Sequence, residues 1–487
     1  MKVLNKQQIK ASEQAAVDSG ISYDELMERA GNAAAKEIIS RFEVEDKIIT
    51  IICGNGNNGG DGFVIASALS AAKAKVKLIL PLGEPKTETA KNQYKLLPFI
   101  SVEDKFDINC DIVIDALFGI GLDRPVTGKL AELINTVNNA NATRIAIDIP
   151  SGVFCNGGVK GAAVKAHLTL TMIAPKPCFY LPPSNEYCGE VVTLDIGAPV
   201  DDFKYQTIEA PIFKKRPKNA HKGSSGSALM LCGSYGMCGA QILAAKAALR
   251  SGVGLIRAFV CDKNYSAFCT SVPEAVTIPV PTAETCAPMV SKQLFMEKAE
   301  SSHAVLIGCG LGTSETVKDL IYQVLPLIKV PLILDADGIN AICCDINIIR
   351  KIKVPVILTP HPGEMARLCG TSIAEVEKDR IGYARKFATE NNCILVLKGA
   401  NTVIASPEGN VFFNTTGNPG MATGGSGDVL AGIMVALLAQ GEDPLSAAKA
   451  AVFLHGAAGD IAAAKRGEHS MLPSDIIDEL KMPEIAM

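Results

Sequence analysis

The chain has 487 residues, a formal net charge of −4, 48% hydrophobic and 20% charged residues. That length predicts two or three domains, and with this slight acidity no basic stripe proposes nucleic acid and no polybasic tail proposes anionic lipid. The longest apolar run, VLAGIMVALLA (429–439), is too short for a bilayer, and MKVLNKQQIKASEQ lacks a secretion signal's apolar core, so a cytoplasmic protein is expected.

The first stretch reads as helix. Ser22 and Glu25 match the S-x-x-E capping pattern, and Leu26, Ala30, Ala33, Ala34 and Ile38 share one face of the run to Arg41. Short apolar runs then alternate with helical ones: KIITII (47–52), VKLIL (76–80), DIVID (111–115), RIAIDI (144–149), HLTLTMI (167–173) and VVTLDI (191–196). Runs apolar on both faces predict a parallel sheet covered on both sides, a Rossmann-like three-layer sandwich. Between residues 198 and 224 the chain turns polar and proline-containing, which predicts domains of 1–210 and 211–487. A second α/β series follows: SALMLCGS (227–234), GLIRAFV (254–260), AVLIG (304–308), PLILDAD (331–337), VPVILTP (354–360) and CILVLKG (393–399). The closing run 445–467 reads as a small-residue helix packed on a sheet. Two doubly wound α/β domains are therefore expected. Fifteen cysteines show no CxxC and predict reduced, mainly buried thiols; six dispersed histidines give no zinc pattern.

In such sheets ligands bind at the carboxyl ends of the strands. After the first strand comes GNGNNGGDG (54–62), a turn into a helix that suits a phosphate, although Asp61 could equally be a helix cap. Asp115 ends DIVID and precedes ALFGIGLDRPVTG; Asp148 ends RIAIDI and precedes Ser151. Asn58, Asp115 and Ser151 make an all-oxygen set suited to a hard cation, leaving Asp148 for proton transfer. In the second half, GGSGDVLAG (424–432) puts Gly425, Ser426 and Gly427 before Asp428 at a helix start. Backbone donors beside a carboxylate suit phosphoryl transfer or elimination, the bland reading being a capping aspartate. His361 in TPHPGE is fixed between two prolines, LKGANTVIA (397–405) reads as strand–turn–strand, and the two carboxylates of DADG could hold Mg²⁺, orient water or cap a helix.

These strings resemble a known family. NGNNGGDG, DALFGIGLDRPVTG and IDIPSG are similar to the NAD(P)H-hydrate epimerase domain. HKGSSGSALMLCGS, GCGLG, LDADGIN, TPHPGE, LKG and NPGMATGGSGDVLAG are similar to NAD(P)H-hydrate dehydratases, which implies a ribokinase-like three-layer sandwich for the second domain. The matches run in order along nearly the whole chain, so it resembles bifunctional NAD(P)H-hydrate repair enzymes, isomerase and lyase in one chain.

The resemblance implies substrates hydrated at C6 of the nicotinamide ring: NADHX and NADPHX, each as R and S epimers. The first domain would interconvert them, and the second would dehydrate the S form at the expense of ADP or ATP, with the fused layout favouring ADP. It implies hydrate binding in the first domain by Asn57, Asn58, Gly59, Gly60 and Asp61, by Gly119, Ile120, Gly121, Leu122, Asp123, Arg124 and Pro125, and by Asp148. Potassium would sit at Asn58, Asp115 and Ser151. Ala240, Gly312, His361 and Asp428 would bind the hydrate in the second domain. Lys398, Gly399, Ala400, Asn401, Thr402 and Gly427 would bind the nucleotide, with Mg²⁺. Asp148 and Asp428 would be catalytic. A homo-oligomer is expected, without nucleic-acid or membrane partners. The rival readings are a small-alcohol kinase with a non-catalytic N-terminal domain, and a first domain that is only a binding module.

Overall fold

The computed structural model describes residues 1–201 and 204–484. It divides into two compact units, one of Lys2–Tyr205 and the other chiefly of Gln206–Met487. Among the described residues no helix is long and apolar enough to cross a membrane.

Among the described residues the first unit's sheet has seven strands: β1 (Ile48–Cys53), β2 (Lys75–Ile79), β3 (Ser101–Glu103), β4 (Ile112–Ala116), β5 (Thr143–Ile147), β6 (Leu168–Met172) and β7 (Glu190–Leu194). Their order is β3-β2-β1-β4-β5-β6-β7, with every pair parallel. Burial on both faces explains the unbroken apolar runs. Ile51 and Ile114 join the core on one side of the sheet, while Ile52 and Val113 join the other. Strand order reverses at β1 and β4, so the loops after them part and leave a crevice. Ahead of the sheet, the Ser22 hydroxyl caps the helix Tyr23–Arg41 by accepting from the Glu25 amide at 3.1 Å. Glu25 does not complete the capping box, because Arg29 one turn on takes its carboxylate at 2.6 Å.

The second unit continues with β8 (Ser227–Leu231), β9 (Leu255–Cys261), β10 (Val276–Val280), β11 (Ala304–Ile307), β12 (Leu332–Leu334), β13 (Val356–Leu358), β14 (Ile394–Leu397), β15 (Val403–Ala405) and β16 (Val411–Phe413). Their order is β16-β15-β14-β13-β12-β11-β8-β9-β10, parallel except at the β14-β15-β16 end. The helix Ser426–Ala439 is buried from Val429 to Ala439 and lies against the helix Cys238–Arg250. Gly432 is what lets them approach: a Cβ there would run into the Ala244 carbonyl. Helix Pro444–Arg466 fills the place expected for the small-residue segment. Strands not read from sequence include the short Lys2–Val3 and Tyr205–Thr207, the exposed β3, β10 with Pro279 inside it, and the three-residue β16.

Candidate active sites

Helix Asn57–Ala71 starts soon after β1, with Gly56 at its N-cap and no side chain capping it. Its first amides are thus directed at the crevice. Asp61 lies in the second turn, so the capping alternative for it does not apply. Packing accounts for two of the glycines. A Cβ at Gly59 would run into the Gly54 carbonyl, and one at Gly62 would come 2.7 Å from the Cys53 sulfur.

The crevice is a cavity of about 670 Å³ lined by Asn57, Asn58, Asp61, the whole stretch from Gly119 to Arg124, and Asp148. Of the residues expected there, Gly59 and Gly60 are buried behind the lining, Gly60 against Met27, and Pro125 is exposed just beyond Arg124. Gly119 sits between two site residues: a Cβ on it would be 2.7 Å from Asp148 Oδ2 and 3.3 Å from Asn58 Oδ1. Asp148 leaves β5 at φ 66°, and its Oδ2 accepts from the Ile120 amide at 3.0 Å.

Three charged residues that sequence reasoning passed over line the same cavity: Lys10, Glu13 and Lys176. Lys176 is fully buried. Its ammonium lies 2.6 Å from Asp148 Oδ1 and donates to Thr171 Oγ1 at 2.6 Å and the Met172 carbonyl at 2.9 Å. It follows HLTLTMI closely, so the strand-end rule that found Asp148 would have found it too.

Asp115 and Ser151 form a tight pair. The Ser151 amide donates to Asp115 Oδ2 at 2.8 Å, and Asp115 Oδ1 accepts from the Ser151 hydroxyl at 2.7 Å and the Leu117 amide at 3.2 Å. Burial nonetheless pushes the Asp115 carboxyl up to about 6, against the lowering effect of those donors. Both side-chain polar atoms of Asn58 are buried with no hydrogen-bond partner among the described residues. A buried carboxylate and an amide oxygen lacking a donor are the chemistry a hard monovalent or divalent cation satisfies.

In the second unit Gly425 is the N-cap of helix Ser426–Ala439 and takes the left-handed conformation at φ 100°. Asp428 stands in the first turn without capping the helix, so the bland reading of it fails. Burial pushes its carboxyl up to about 6, helped by the charge of Asp335. Asp335, buried at the end of β12, accepts from Lys398 Nζ at 2.7 Å and Thr359 Oγ1 at 2.6 Å. The Cys309 thiol donates to its other oxygen at 3.5 Å. Burial presses the Lys398 ammonium down, but Asp335 and Glu364 hold it above its ordinary value. A Cβ at Gly427 would lie 3.4 Å from Lys398 Nζ, so that loop and that lysine face one another. Asp337 accepts from the Gly312 amide at 2.7 Å, which fixes the GCGLG loop; a Cβ at Gly310 in the same loop would touch Ala240. The DADG carboxylates thus bind protein donors.

His361 caps helix Pro362–Cys369, its Nδ1 accepting from the Gly363 amide at 3.0 Å; burial lowers its basicity. The turn from Lys398 to Thr402 joins β14 to β15, with Thr402 Oγ1 donating to the Gly399 carbonyl at 3.2 Å. Ala400 is exposed there, and Asn401 takes φ 53° and donates to the Asn414 carbonyl at 3.1 Å. Sequence reasoning also missed His455, buried in the small-residue helix with Nε2 3.3 Å from the Ser426 hydroxyl.

Comparison with known proteins agrees with this geometry. Residues 228–482 match the family model described as NAD(P)H-hydrate dehydratase, and residues 23–178 match that of the YjeF-related protein N-terminus. The chain is 38% identical to a bifunctional NAD(P)H-hydrate repair enzyme of Moorella thermoacetica, over 93% of this chain and 91% of that protein. It is 36% identical to one from Coxiella burnetii over 98% of both. A ribokinase-like superfamily protein of Enterococcus faecalis superposes with a TM-score of 0.50 at 27% identity, covering 58% of this chain and 96% of that one. The chain belongs to the family of bifunctional NAD(P)H-hydrate repair enzymes.

Proposed function

We propose that the chain repairs hydrated nicotinamide dinucleotides in two steps. The first unit interconverts the R and S forms of NADHX and NADPHX. The second dehydrates the S form to NADH or NADPH, consuming ADP or ATP. The observation that carries this reading is two separate strand-end sites in one chain, each with a catalytic-type carboxylate: Asp148 tied to buried Lys176, and Asp428 pushed up to about 6 by burial beside a nucleotide-type loop. A lone small-alcohol kinase leaves the first of them without a purpose.

In the first unit the amides of Asn57 and Asn58 and the segment from Gly119 to Arg124 hold the hydrate, and Asp148 moves the proton at its C6 oxygen. Potassium is held by Asn58, Asp115 and Ser151; it supplies the positive charge that the buried Asp115 carboxylate lacks. In the second unit Ala240, Gly312 and His361 hold the hydrate, and Lys398 to Thr402 with Gly427 hold the nucleotide. Asp428 takes the proton of the C6 hydroxyl as that oxygen accepts a phosphoryl group, and phosphate is a better leaving group than hydroxide. The amides of Gly425, Ser426 and Gly427 stabilise the charge that moves. The sulfur of Cys309 and the carboxylates of Asp335 and Asp428 lie within 4.8 Å of one another, but Asp335 is engaged by Lys398 and Thr359. Magnesium is therefore assigned to arrive with the nucleotide phosphates. A cytoplasmic location, a homo-oligomer and domains of 1–210 and 211–487 complete the proposal.

Two variants of the full chain test the division of labour. Asp148→Asn should stop epimerisation and leave nucleotide-driven loss of the S hydrate; Asp428→Asn should do the reverse. One variant that abolishes both reactions would contradict it.

A further inference from the structure

The epimerase cavity holds more proton-transfer groups than Asp148. Glu13 and Asp61 share it, with Lys10 and Lys176. Resting on the epimerase reading above, we propose that Glu13 is a second catalytic residue, exchanging protons with the C6 oxygen in alternation with Asp148, and that Lys176 is the positioning residue that holds Asp148.

Glu13 reaches the cavity from the helix Lys6–Asp18, whereas Asp148 reaches it from the end of β5. That helix is firmly seated. Asn5 Oδ1 accepts from the Gln7 and Gln8 amides at 3.0 Å each, and the Gln8 side chain accepts in turn from the Asn5 amide at 2.8 Å. The Leu4 amide donates to the Pro175 carbonyl at 2.9 Å, directly beside Lys176 in the chain. Ile9 and Glu13, one turn apart, both face the cavity.

The charges favour an acid and a base side by side. Glu13, Asp61 and Asp148 act electrostatically on one another and on the ammonium groups of Lys10 and Lys176, and Lys176 is committed to Asp148 at 2.6 Å. Burial raises the Glu13 carboxyl and Asp148 raises it further, against Lys176 and Lys10. Asp61 is raised well above its ordinary value, by burial first and then by Asp148 and Glu13. The charged and titratable groups sharing the cavity with Glu13 are Lys10 on its own helix, Tyr23 at the start of helix Tyr23–Arg41, Asp61 on the helix after β1, Asp148 after β5 and Lys176 after β6, with Asp123 and Arg124 on the same cavity wall.

Inverting C6 needs both an acid and a base. The C6–O bond breaks with its electron pair going to oxygen, which takes a proton from one carboxyl and leaves as water. The N1 lone pair closes a C6=N1 iminium. Water then adds to the other face and gives its proton to the second carboxylate. Atoms and charge balance, with no co-reactant consumed. A single carboxyl would have to serve both ring faces, whereas two carboxyls on different elements need not move.

The test is epimerisation of the R hydrate by the full chain carrying Glu13→Gln, measured against pH. The expected result is a rate ~10²–10⁴-fold lower, with the wild type's bell-shaped kcat/KM profile losing one limb. Nucleotide-driven dehydration of the S hydrate should be unchanged. Lys176→Met should slow epimerisation with both limbs kept but displaced. A Glu13→Gln chain within a few-fold of wild type, or slower with the same two-limbed profile, overturns the proposal. Should Glu13→Gln fail to fold, Glu13→Asp decides: a displaced limb supports the role and an unmoved profile overturns it. A wild-type chain that leaves both hydrates untouched overturns the epimerase reading itself.

Discussion

Potassium should stabilise the first unit, and only above about pH 6. The reason is Asp115, 2% exposed, whose carboxyl burial pushes from 3.8 to about 6. Because the folded-state value lies above the unfolded one, the group favours the folded state below about 4 and costs stability once the pH has passed through 6. A shift of that size is worth ~3 kcal/mol at neutral pH, at ~1.4 kcal/mol per unit. A cation held by Asn58, Asp115 and Ser151 is expected to recover stability of that order. At ~2–4 °C per kcal/mol for a unit of this size, saturating potassium should raise its melting temperature by ~6–12 °C at pH 8. Calorimetry in potassium chloride against choline chloride at equal ionic strength reads this directly. The increment should fade as the pH falls below 6, where a proton takes the cation's place. It should be absent in Asp115→Ala. A rise that persists at pH 5, or that survives Asp115→Ala, would refute the assignment.

Other consequences concern the second unit. Asp428→Asn cannot cap differently, since Gly425 holds the cap position, so any loss reports the base. Dehydration should slow at least ~10²-fold while nucleotide still binds, which single-turnover kinetics with a binding titration will show. The Asp428 carboxyl sits near 6, so kcat/KM for dehydration should climb as the pH rises to about 6 and then level off, a limb lost in that variant. Lys398→Met removes the partner of buried Asp335 and should cost ~3–5 kcal/mol of stability and raise the nucleotide KM. Adding Asp335→Asn should restore most of the stability and none of the nucleotide affinity, as denaturant melts and initial rates will show.

How much of this was legible in the sequence followed burial. β1, β4 and β5 are apolar on both faces, so their runs stand out and the strand-end rule led to Asn58, Asp115, Asp148 and Ser151. β3 is exposed along its length and β16 is three residues long, so neither leaves a pattern. The glycines between residues 54 and 62 were read as room for a phosphate; Gly59 and Gly62 answer instead to packing of the helix on the strand and turn before it. Glu13 was invisible because a helical carboxylate at ordinary spacing looks like a solvated face. Only the tertiary fold brings it to Asp148. His455 was hidden by the alanines around it.

The central claim is that one chain carries both activities. Its most direct test is to give the full-length protein pure R hydrate with ADP, and in a parallel run with ATP, and to follow the near-ultraviolet absorbance of reduced nicotinamide. The account predicts slow or no recovery without nucleotide, and complete recovery with it, because epimerisation feeds every molecule to the S-specific dehydratase. Nucleotide consumption without any return of that absorbance, or recovery from S hydrate only, would contradict it.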